Sequence, residues 1–455
     1  MLRWRSAPAT WSSPLVGAVA ALVVALAWPG SLYGQIGNAL NQAVGGVSID
    51  PAGVLSRTSV DGMGQLREFR LKALQQIPAD LHQAAGLRKI SLRGLEAAVT
   101  QFLANRQPLP DAVKYLAGLQ QIQFVLVFPE QHDIVLVGPG EGWKIDAQGN
   151  LVGAGSGRPV LLLDDLLVAL RTAEQAGKGG ISCSIDPTPE GLARLKAYQA
   201  KLRAGSDPQW AATTIEQVLG PQTISIEGVP PTTHFARVLV AADYRMKRLA
   251  MNFEPPPIRG LPSFLELVSA TKRSTIFPRW WLAPNYQAVL RSADGLAWEL
   301  RGAAVKALTE EEFVSASGNR ERSARVHPIA QKWAENMTAH YDELAIAEPI
   351  FGQLRNCMDL ALLAALISKE KLAEKAGNSL PLLMDSARVQ TDPFAAPRQV
   401  DTQASLLRKG NNWVMSASGG VQIDSWGALK QIQPSDAPAA LRAKTIPAPG
   451  RWWWN

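Results

Sequence analysis

Between Leu219 and Pro257 the chain reads LGPQTISIEGVPPTTHFARVLVAADYRMKRLAMNFEPPP, and its punctuation leaves little choice of local structure. Thr223 to Glu227 alternates as a strand. Gly228, Pro230 and Pro231 turn it, Thr232 or Thr233 caps, and a helix follows to about Asn252. The triple proline Pro255–Pro257 stops that helix just after Glu254, because proline lacks the N–H a helix needs and restricts the residue before it. Phe235, Val238, Leu239, Ala242, Met246 and Leu249 recur at i, i+3, i+4, i+7 spacing and predict a core face. His234, Arg237, Tyr244, Arg245 and Arg248 share the other face, with Ala241 as a gap, and are the candidate ligand-binding residues. Asp243 and Glu254 on or after the same helix, and Trp280 and Trp281 beyond it, are secondary candidates.

At the N-terminus Arg3 and Arg5 precede Leu15–Trp28, an uninterrupted apolar run of 14 residues, followed by Pro29 and Gly30. A spanning helix needs roughly 20 residues, so this run reads as a signal peptide, with cleavage after Gly34 leaving Gln35 first. The expected location is therefore periplasmic or extracellular. The alternative is an uncleaved N-terminal anchor; no further membrane span is expected. The formal charge is +7, and losing Arg3 and Arg5 leaves 44 basic against 39 acidic residues, or +5. Without a run of consecutive basic residues, nucleic acid is not an expected partner.

Cys183 and Cys357 lie in apolar segments, where a free thiol packs as a small hydrophobe, although an exported compartment would also permit a disulfide. Neither has metal-site neighbours. Gly138-Pro-Gly-Glu-Gly142 lacks the lysine and the following helix of a phosphate loop, so neither metal nor cofactor is expected.

The rest of the chain predicts a mixed α/β fold of the α+β class. Ile-Asp-x-x-Gly-x-Leu occurs at Ile49, Ile145 and Ile423, and each copy reads as a β-hairpin, placing hairpins at both ends. Helices are expected over Asp61–Ile77, Ser91–Asn105 and Pro110–Gln121, and strands over Ile122–Phe128 and Asp133–Val137. Asp164-Asp165 opens a helix, where paired carboxylates more readily cap and favour the dipole than do acid–base work. Phe277–Ala283, with Pro278 and Trp280-Trp281, reads as an aromatic edge strand, its tryptophans either a stacking wall or packed residues. Ser315–Arg325 reads as a loop. Ile329–Ala347 and Phe351–Lys375 read as a buried helical hairpin. After the leader, the expected domains are 35–205 and 206–430, joined near Gly205–Pro208, with a flexible Pro/Trp tail over 431–455 that orders only if Trp452–Trp454 dock.

The segments GVSIDPAGVL, GPGEGWKIDAQGNLVG, RPVLLLDDLLVALR, SIDPTPEGLARL, the central stretch and LRNCMDLALLAALI together resemble an exported planctomycete family catalogued as domain of unknown function 1598. The resemblance implies export and this layout, and it brings no activity or catalytic residue. A nucleophile elbow and paired histidines at metal spacing are both lacking. The expectation is a structural or binding protein of the cell envelope, with an envelope protein or glycan as partner. The alternative is a hydrolase-type site around His234, Arg237 and Asp243.

Overall fold

The computed structural model describes Val44, 47–49, 52–57, short pieces between 67 and 74, and 76–455 apart from 201–207, 269–277, 315–319, 323–327, 404–406, 410–411, 415–417 and 449. The expected leader, most of the helix expected over Asp61–Ile77 and the expected joint near Gly205 lie outside these residues.

The fold is α+β, with two mixed sheets. The larger has nine strands among the described residues, in the order Val47–Ile49, Val54–Arg57, Gln399–Val400, Gln222–Glu227, Ile181–Pro187, Ser418–Ile423, Pro278–Tyr286, Gly302–Val314 and Arg320–Arg322. The other has seven, in the order Ile432–Pro434, Val289–Arg291, Ala297–Glu299, Phe124–Phe128, Asp133–Gly140, Ala85–Ser91 and Trp453–Trp454. Both sheets take strands from either side of residue 205, and Ala43–Asn455 forms one compact unit. The two expected domains therefore share one core.

That core is packed around the helix Pro349–Lys369. It is apolar from Cys357 to Ile367 except for Asp359, and long and apolar enough to cross a membrane, yet here it is enclosed by protein. The central helix His234–Ala250 lies between it and the nine-stranded sheet, touching Ile181–Pro187 and Ser418–Ile423. The helix Leu163–Gly179 packs beside both.

Several sequence expectations change in the structure. Pro278–Tyr286 is an interior strand rather than an edge. Its Trp280 is fully buried against Phe264 and Trp333, so the indole is core, while Trp281 on the opposite side is half-buried under the Arg279 guanidinium at 4.6 Å. The first two Ile-Asp-x-x-Gly-x-Leu copies are hairpins whose glycines, Gly53 and Gly149, take positive φ. The third is a strand-to-helix turn: the Asp424 side chain accepts the Gly427 N–H and caps Ser425–Ala428, and Trp426 Nε1 donates to Ala173 O. Over Pro110–Gln121 only Asp111–Lys114 is α-helical, because Leu116 and Ala117 take positive φ. The Ser315–Arg325 segment contains Arg320–Arg322 paired with Glu312–Val314. Cys183 and Cys357 are free and buried.

Candidate functional site

The central helix begins as its sequence requires. Thr233 is extended and its hydroxyl accepts the Ala236 N–H at 3.2 Å. From there the helix is buried all round, with only His234 and Arg245 half-buried. The polar stripe read as the outer face is thus enclosed, and burial obliges each of its charges to find a partner.

At the helix start, His234 Nδ1 lies 2.9 and 3.1 Å from the two Asp165 carboxylate oxygens, and its ring meets Phe394 edge-on at 5.6 Å. One turn on, Arg237 donates to Ala395 O at 3.3 Å and faces the Phe394 ring at 6.0 Å. Arg237 is 1% exposed, and burial lowers its pKa to about 10. Asp164 accepts the Asp392 N–H at 2.9 Å. Burial, with Asp392 and Asp165 nearby, raises Asp164 to about 6. Neither carboxylate caps its own helix, whose cap Leu162 has no side-chain bond. Both instead reach across to other segments.

On the sheet side, Asp243 is wholly buried and accepts from Lys247 Nζ at 2.8 Å. That ammonium also donates to the carbonyls of Ile185 and Gly419, each at 3.2 Å, so all three of its donors are used by two strands and one carboxylate. Burial raises Asp243 to about 6 against the opposing pull of Lys247.

At the helix end, Arg245 and Arg248 share the Glu254 carboxylate, which the triple proline holds just past the last turn. Arg245 also pairs with Glu348 at 2.8 Å. Arg248 donates to Gln403 Oε1 and, at 3.4 Å, to Tyr244 Oη, with the Tyr244 and Phe253 rings 5.5 and 5.7 Å from its Cζ. Such aromatic stacking fixes the guanidinium plane.

A cleft opens here, about 370 Å³ including the space it shares with solvent. Gln222, Tyr244, Lys247, Arg248, Asp401 and Gln403 supply its polar wall, with Ile185, Met251, Phe253 and Val400 as its apolar part. The structure thus brings Tyr244 and Arg248 to one cleft. His234 and Arg237 sit together at the far end of the helix, and Asp243 faces the sheet nine residues from His234, about 13 Å along the axis. Trp280 lies in the core and Trp281 on the sheet.

Sequence reasoning read Asp165 as a helix cap and missed Lys247, Gln403 and Glu348. Asp243 and Lys247 stand at i, i+4, a spacing that announces a pair on one helix face. For the others the partners are 69, 155 and 103 residues apart in sequence, and nothing local marks them.

Residues 183–264 match the model of a family described as protein of unknown function, DUF1598. No curated protein and no solved structure matches the chain. The matched segment holds the strand, the central helix and the Glu254 clamp. Seven of the ten cleft residues lie within it, and Val400, Asp401 and Gln403 come from outside.

Proposed function

We propose that this is an exported binding protein of the cell envelope, and that the cleft at the end of the central helix takes a polar group of an envelope glycan or of a partner protein. The reading of export rests on Arg3, Arg5 and the 14-residue apolar run. The binding reading is carried by one observation: Arg248 lines an open cleft while already fixed by Glu254, Tyr244, Phe253 and Gln403. A side chain held in this way loses little conformational entropy on binding. Asp243 and Glu254 balance Lys247 and Arg248, so the cleft is polar rather than strongly cationic. Hydroxyl-rich groups suit such a wall, with Asp401 and Gln403 as hydrogen-bond partners and Phe253 as an apolar floor.

The test is a thermal-shift screen of envelope glycans and short peptides against the protein and its Asp401→Ala and Gln403→Ala variants. A glycan or peptide should raise the melting temperature of the parent and shift the variants less. Equal shifts in all three proteins, or none from either class, would rule out the cleft.

A second reading, a hydrolase-type site, draws on the His234–Asp165 pair, since an oriented imidazole is a potential base. Its other members do not converge: Arg237 binds the 394–395 backbone and ring, and Asp243 is committed to Lys247. Release of dye from ester, glycoside and peptide substrates, lost in His234→Gln, would support it over the binding reading.

A further inference from the structure

The three tryptophans near the C-terminus lie in a built seat, Trp453–Trp454 as a strand and Trp452 just before it. Ser91 N–H donates to Trp452 O at 2.8 Å, Trp453 lies opposite Ile90, and Trp454 opposite Lys89. Trp452 and Trp453 pack on the main core, while Trp454 packs on the smaller cluster beside Phe124 and Leu441, so the strand covers both faces of the seven-stranded sheet at its edge. Gly94 makes room for it: a Cβ there would stand 2.8 Å from Trp452 Cα. Arg88, fully buried, donates through Nε to Asn455 Oδ1 at 2.9 Å, and its other nitrogens go to the carbonyls of Ala117, Gln83 and Leu81.

This seat is made of backbone edge, one glycine notch and one arginine, and it recognises an extended segment by β-augmentation. The segment reaches it from the helix Ala437–Lys444 through Pro447, Pro449 and Gly450, a stretch without helical or strand pairing among its described residues. The connection therefore constrains where the strand docks far less than the seat does. We propose that the same seat accepts Trp452–Asn455 of a second copy, so that two chains join by exchanging this strand. The contacts in the open and closed forms are the same, and only the connecting stretch and the local concentration differ. A short tether supplies an effective concentration on the order of 1 mM, so exchange rises as the protein approaches that concentration.

The experiment uses paired cysteines at the facing positions 89 and 454, with native Cys183 and Cys357 buried and out of reach. A Lys89→Cys chain and a differently tagged Trp454→Cys chain are mixed, concentrated and oxidised. A disulfide-linked product carrying both tags, increasing with concentration and diminished when Gly94→Leu blocks the seat, is the expected result. The Lys89→Cys, Trp454→Cys double variant checks the seat by closing within one chain. Closure in the double variant with no two-tag product at about 1 mM overturns exchange. Failure of the double variant to close overturns the seat itself.

Discussion

Removing the Asp243 carboxylate would leave the Lys247 ammonium among sheet carbonyls with its negative partner gone. Breaking a buried pair from one side costs about 3–5 kcal/mol, whereas replacing both members by apolar residues is far cheaper. Asp243→Ala should therefore destabilise the protein by about that amount in urea unfolding, and Asp243→Leu with Lys247→Met should cost less than the single change. A double variant worse than the single would show that the ammonium's bonds to Ile185 and Gly419, rather than the ion pair, hold the helix to the sheet. Asp359 makes a pH prediction. Burial raises it to about 6, with the Tyr286 hydroxyl at 2.6 Å and Ile122 N–H at 3.4 Å pulling the other way. A carboxyl whose folded pKa lies above its unfolded value of about 3.9 stabilises the fold below pH 4, and that stability is lost as pH rises through about 6. The melting temperature of the parent relative to Asp359→Asn should thus fall between pH 4 and 7. A difference that stays flat would mean the carboxyl is already ionised at pH 4.

At the scale of elements, the glycine-rich loop that looked like a poor phosphate site has a partner inside the protein. Glu141, from Gly138–Gly142, accepts from the Gly155 and Ser156 amides, the Ser156 hydroxyl and Gln120 Nε2, so the 153–157 loop closes around a carboxylate of its own chain. Each such charge-assisted bond contributes about 1.5–3 kcal/mol when buried, less where water competes. Glu141→Ala should cost about 2–4 kcal/mol and raise amide exchange at Gly155 and Ser156 while sparing the strands. Uniformly faster exchange would assign Glu141 to global rather than loop stability. Elements were legible where the sequence carried its own cap or turn: Thr233, and the glycines of the first two hairpins. They were misread where a distant contact decided. Ile-Asp-x-x-Gly-x-Leu became a helix cap at Asp424 because Trp426 docks on the Leu163–Gly179 helix. Asp164 and Asp165 looked like caps, yet they bind Asp392 and His234. Trp280 read as an edge residue because the strands flanking it, Gly302–Val314 and Ser418–Ile423, are not both nearby in sequence.

Across the whole molecule, strands from both halves share both sheets and one apolar cluster runs through the helices between them. Calorimetry should therefore show one unfolding transition; two separated peaks would mean that the cores on either side of residue 205 melt independently. The candidate site followed the same division of information. The stripe on the central helix was visible in the sequence, and Tyr244 and Arg248 from it do line the cleft. That the stripe would be buried, and that Asp401 and Gln403 would complete the wall, depended on a strand about 150 residues later lying beside Gln222–Glu227. Strand order has a further consequence for how the chain is made. Ala85–Ser91 waits for Trp453–Trp454, and Val289–Arg291 for Ile432–Pro434, so both borders of one sheet are supplied by residues synthesised late. Pairings over such separations form slowly, because the intervening chain must first be drawn in. A chain of this design stays incomplete until late in synthesis, with apolar edges that a chaperone can hold.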